Sequence, residues 1–157
     1  MKPVGSSSFG RAADFGPLFL RLGLGTVFAW HGWQKLDGGV DAYAGFLGSL
    51  DIPAPELMAW LQIAAEGIGG LLLIAGLFTR FVTLPLIVVM VGAIWLVKAE
   101  VGFIVADIAG FELEVTILSG LFGLLFMGPG RISLDGILGM EASAQHLEGG
   151  QHRAVPA

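Results

Sequence analysis

The stretch FVTLPLIVVMVGAIWLV, residues 81–97, carries no charged side chain and, apart from Thr83, is apolar on every side of a helix. A helix in a soluble bundle needs a polar face to meet water, and this one has none. Working outward, further apolar segments cover residues 17–35, 57–78 and 113–128. Each approaches the ~20 residues needed to cross a hydrocarbon layer ~30 Å thick as a helix. The pattern predicts an all-α, four-helix transmembrane bundle. Composition agrees. Of 157 residues, 55% are hydrophobic and 13% are charged, about half the charged share of a soluble domain. Mean hydropathy is +0.80, which excludes a disordered chain. The 25 glycines follow no Gly-X-Y period, so collagen is excluded too.

Charge sets the expected orientation. With both termini in the cytoplasm, Lys2, Arg11, Arg80, Arg131 and Arg153 fall inside and Arg21 lies near that edge, leaving Lys35 and Lys98 outside. This satisfies the positive-inside rule. Residues 1–13 and 141–157 read as flexible cytoplasmic tails around a membrane domain at 14–140. Ala42-Tyr43-Ala44 has the form of a signal-peptide cleavage site but lies past Lys35, Asp37 and Asp41, so the first helix is expected to be retained. In the loop at 37–56, the spacing of Tyr43, Phe46, Leu47, Leu50 and Ile52 suits a short amphipathic helix on the membrane surface. Trp30, Trp33, Trp60 and Trp95 read as an outer aromatic belt.

The second segment holds Glu66. A helix starting at Pro55 puts it roughly 16 Å deep, near the bilayer midplane. A charge there costs about 2.5–3.5 kcal/mol by insertion scales, so Glu66 should face the bundle interior. Gln62 lies one turn above it on the same face, and Gly67, Gly69 and Gly70 allow a neighbouring helix close approach. By depth, Glu66 falls between Arg21 and His31 of the first helix. Thr26 is level with it, and Gln62 and Ser119 are level with His31. A polar layer of His31, Gln62, Glu66, Thr26 and Ser119 follows. The alternative is structural: a buried Glu–Arg or Glu–His pair that only fixes helix register. Lys35 and Lys98 read first as lysines reaching up to the interface.

Chemistry narrows next. Cys is absent, which removes disulfides, thiolate metal sites, cysteine nucleophiles and iron–sulfur clusters. Only His31 among the histidines falls inside an apolar segment, so haem ligation is not favoured, and no metal site is expected. A net charge of -5 without a basic run excludes nucleic acid as a partner. No intrinsic cofactor is expected. A quinone or another small apolar ligand remains, with His31 and Glu66 as candidate catalytic residues and Arg21, Thr26, Lys35, Gln62 and Ser119 as candidate ligand-binding residues. His31 would donate a hydrogen bond to a carbonyl and Glu66 would relay a proton. The electrons would come from a partner.

The chain also resembles the DoxX family of small bacterial four-helix membrane proteins. The resemblance rests on Arg21-x3-Gly25-x2-Phe28-x2-His31-Gly32-x2-Lys35, on Glu66-x2-Gly69-Gly70-x2-Leu73-x2-Gly76-x2-Thr79-Arg80, and on Gly128-Pro129-Gly130-x2-Ser133-Leu134-Asp135. It spans residues 15–138. It implies a protein of the cytoplasmic membrane with an oxidoreductase label, and it marks Arg21, His31, Lys35, Glu66, Arg80 and Asp135. Gly128-Pro129-Gly130 should stop the fourth helix, with Ser133 or Asp135 capping a short helix after it. Besides a membrane subunit of a redox system, a scaffold recruiting soluble redox enzymes and a small-solute carrier stay open. Expected partners are the lipid bilayer, a quinone, a soluble redox protein and further copies of the chain.

Overall fold

The computed structural model describes residues 15–105 and 110–139. The two tails expected at 1–13 and 141–157 lie outside the described residues. Among the described residues, the regular structure is entirely helical. Helix α1 is Phe15–Asp37, α2 Val40–Ser49, α3 Pro55–Ala75, α4 Thr79–Ala93, α5 Glu112–Met127 and α6 Leu134–Ile137. A π-helical turn, Ile94–Lys98, continues α4. The long helices pack side by side: α1 along α3, α4 along α5, with further contacts of α1 to α5 and α3 to α4. Phe28, Leu73, Val82, Leu86, Ile117, Leu121 and Leu124 meet at the centre and are buried. The outward faces are apolar as well; Phe19, Phe81, Val88 and Phe126 are all more than two-thirds exposed.

Two helical stretches are long and apolar enough to cross a membrane, Pro55–Ala75 and Thr79–Lys98. Both are mostly exposed on the outside of the molecule rather than buried as a soluble core helix would be. The other two long helices fall short for different reasons. Helix α1 has 23 residues, but Arg21, His31 and Lys35 interrupt its apolar run. Helix α5 has only 16 residues.

The α1–α3 contact is made by backbone. A methyl group at Gly32 would stand 2.6 Å from the Gly67 Cα, and one at Gly70 would stand 2.7 Å from the Gly25 carbonyl oxygen. Small residues let helices approach this closely, replacing side-chain interdigitation with direct van der Waals contact. The seam runs beside Glu66 and so fixes what α1 presents to it.

The opposite end of the molecule is tied by Asp135. Its carboxylate accepts the amides of Phe78 (2.8 Å) and Thr79 (3.0 Å) at the start of α4. Its own amide donates to the Gly76 carbonyl at 2.9 Å. A carboxylate there satisfies orphan amides and meets the positive end of the helix dipole. Gly76 has φ +68°, the left-handed turn that ends α3. Buried Arg21 donates to the Ile132 carbonyl on the same segment. Ser133 caps α6, its hydroxyl accepting from the Gly136 amide at 3.0 Å. Of the two residues read as candidate caps for α6, Ser133 serves α6 and Asp135 serves α4.

Substituting the seam gives a direct check. Gly32→Ala should destabilise the protein by about 1–3 kcal/mol, the usual cost of overpacking. Gly23→Ala, with open space around it, should be neutral or slightly stabilising. Unfolding of both variants in detergent, followed by circular dichroism, measures the difference.

Candidate functional site

Glu66 is 2% exposed on the α1-facing side of α3. Both carboxylate oxygens accept from the Lys35 ammonium, near the C-terminal end of α1. One turn earlier on α3, the Gln62 amide donates to Glu66 Oε1 at 3.4 Å. The neutralising partner expected for Glu66 is therefore Lys35, not Arg21 or His31. Lys35 turns inward across the Gly32–Gly67 contact, where the closely apposed backbones bring its stem within reach of α3. Reaching outward would need an exposed ammonium, whereas the Lys35 side chain keeps 19% of its surface.

Helix α2 covers this pair. Ala44 and Leu47 pack on Ala59 of α3, and the Lys35 ammonium stands 4.9 Å from the centre of the Tyr43 ring. Burial, and then the negative charge of Glu66, push the Tyr43 hydroxyl up from an ordinary value of 10.0 to about 12.

Beneath α2 lies a cavity of about 1050 Å³. Its apolar wall includes Val27, Phe28, Met58, Val88 and Ile117. Lys35, Gln62, Glu66 and His31 also line it. His31 is exposed, and the hydrogen bonds to Glu66 come from Lys35 and Gln62 instead. The expected polar layer thus forms in part. Thr26 is on an exposed face of α1, and Ser119 is exposed with its hydroxyl bonded back to the Val115 carbonyl at 2.9 Å; neither lines the cavity. Arg21 is buried, but in the opposite junction with Ile132. Depth along a helix was readable from sequence; rotation about its axis was not, and rotation carries Thr26 and Ser119 outward.

Three further residues of chemical interest line the cavity that the sequence pattern does not mark as a site. Tyr43 is the one tyrosine of the chain and was read only as part of an amphipathic face. Lys98 and Glu114 also line the cavity and form an ion pair at 2.7 Å. Opposite charges at adjoining ends of α4 and α5 were the available signal.

With this geometry in place, comparison with known proteins gives consistent matches. The sequence model of the DoxX family matches residues 16–99. "Uncharacterized membrane protein Rv3486" of Mycobacterium tuberculosis is 36% identical over 136 residues, covering 80% of this chain and 82% of that one. "Putative oxidoreductase CatD" of Bacillus subtilis is 31% identical over 125 residues, 80% of this chain and 88% of its own length. "Inner membrane protein YphA" of Escherichia coli is 29% identical over 136 residues, covering 81% and 93%. No solved structure matches the chain significantly.

The tyrosine reports on the site. The folded protein holds the Tyr43 proton at pH values where an unfolded chain has released it. Stability contributed by the neutral phenol is therefore complete below pH 10 and is lost as pH rises toward about 12. Absorbance titration of the phenolate band should place its midpoint near 12, and Glu66→Gln should lower it. A midpoint near 10 would mean that Tyr43 is not buried beside Glu66.

Proposed function

The chain belongs to the DoxX family of membrane proteins, and from that membership we propose that it is the membrane subunit of a redox system acting on quinone. In this reading, α1, α3, α4 and α5 form a four-helix transmembrane bundle with both termini in the cytoplasm. The apolar outward faces support it, as do the exposed Trp30, Trp33, Trp60 and Trp95. The positive-inside distribution of Arg80 and Arg131 supports the orientation.

One observation carries the functional reading. A cavity of about 1050 Å³, mostly apolar, has a buried, paired carboxylate and a histidine on its wall. That size is at the upper end of small-molecule sites, roughly 300–1,000 Å³. Apolar walls with few polar groups suit a quinone ring and the start of its tail. Reducing a quinone to the quinol adds electrons and protons in equal number. His31 and Lys35 have N–H groups to offer a quinone oxygen, and Glu66, held by Lys35 and Gln62, is the acid–base group beside them. The electrons enter from a partner protein, because the sequence supplies no cysteine for a cluster and the helices of the described residues hold a single histidine, His31.

Protein purified into lipid nanodiscs tests this. Decylubiquinone should quench tryptophan fluorescence with saturation, and His31→Ala should weaken the affinity about fivefold, the loss of one modest hydrogen bond. Quenching that rises linearly without saturation, in wild type and variant alike, contradicts the reading.

A further inference from the structure

The cavity has a second lysine–glutamate pair on its wall. Lys98 follows α4 on the π-helical turn Ile94–Lys98. A π turn holds one residue more than an α turn and so re-phases the helix end by roughly 100°. Here Trp95 is left 77% exposed while Lys98 lines the cavity. The Lys98 ammonium donates to the Gly110 carbonyl at 3.0 Å and pairs with Glu114 of α5 at 2.7 Å. Glu114 is buried, and its other oxygen, Oε2, has no hydrogen-bond partner among the described residues. The same cavity is therefore lined by two lysine–glutamate pairs on different helices: Lys35–Glu66 between α1 and α3, and Lys98–Glu114 between α4 and α5.

Charge and donor counts define the ligand. Each lysine is balanced by its own glutamate and Asp51 adds a further carboxylate to the lining, so the wall offers no net positive charge to an anion. Each ammonium has three N–H donors. At Lys98 the carbonyl and the carboxylate use two of them, and at Lys35 the carboxylate leaves capacity over. Each side chain keeps part of its surface, 19% for Lys35 and 24% for Lys98. The cavity therefore offers one strong donor from α1 and another from the turn that continues α4, in a wall that is mostly apolar.

Resting on the quinone reading above, we infer that the site takes a neutral, flat para-quinone held by both ring carbonyls, one toward Lys35 and the other toward Lys98. Lys98, with Glu114 holding it in place, is then a specificity-determining residue, selecting rings with acceptors at opposite ends. Glu114 acts through Lys98 and is a positioning residue.

Binding of menadione, which has two para carbonyls, and of 1-tetralone, which has one, distinguishes the possibilities in the nanodisc-embedded protein. Wild type should prefer menadione about tenfold or more, the worth of one hydrogen bond from a charged donor. Lys98→Met/Glu114→Gln, which removes the pair without stranding a buried charge, should lose most of that preference while 1-tetralone binds as before. Because wild type alone reports the preference, the result stands even if the variant folds poorly. Equal wild-type affinity for the two ligands, or an unchanged preference in the variant, overturns the two-ended site while leaving quinone binding intact. If wild type binds neither, the quinone reading falls and takes this inference with it.

Discussion

A carboxylate in apolar surroundings cannot rely on water for stabilisation, and Glu66 depends on Lys35. Moving a carboxylate out of water costs several kcal/mol even after relaxation, and only close, well-bonded opposite charge offsets it. The geometry needed is demanding. Lysine is long and flexible, and ordering it costs up to about 2 kcal/mol of side-chain entropy. The glycine seam between α1 and α3 makes the pairing feasible by bringing the two backbones into contact beside the carboxylate. The close helix spacing beside Glu66, and with it the reach of Lys35, follows from glycine at positions 25, 32 and 70, where an added methyl group would meet the facing backbone.

The rest of the site is arranged around that pair. Helix α2 folds over it, placing Tyr43 against the lysine and closing one side of the cavity. On the far side, α4 and α5 contribute their own lysine and glutamate. At the other end of the molecule, Asp135 ties the segment after α5 to the α3–α4 turn, and Arg21 ties the same segment to α1. The polar groups thus divide into a junction that holds helix ends and a cavity whose polar groups remain accessible to a small molecule.

Glu66 itself was legible in the sequence because a single acid in an apolar run of this length is conspicuous. Gln62, one turn away on the same helix, followed from periodicity alone. Lys35 was not legible as its partner, since a lysine near a helix end more often extends to the interface, and the choice depends on how α1 is rotated against α3. The same uncertainty placed Thr26 and Ser119 in the layer when both point outward. Asp135 capping α4 was hidden by the 56 residues separating it from Thr79. The π turn has no sequence signature at this level, so Lys98 could not be aimed. The amphipathic segment around Tyr43 did form a helix, at Val40–Ser49, because its spacing required only local geometry.

The most direct measurement is a double-mutant cycle on Lys35 and Glu66, with unfolding free energies taken in detergent for Lys35→Met, Glu66→Gln and the two combined. If the carboxylate is neutralised by this lysine, Lys35→Met strands a buried charge and costs about 3–5 kcal/mol, and adding Glu66→Gln restores most of the loss. Strictly additive effects, or a Lys35→Met variant as stable as wild type, would contradict the account.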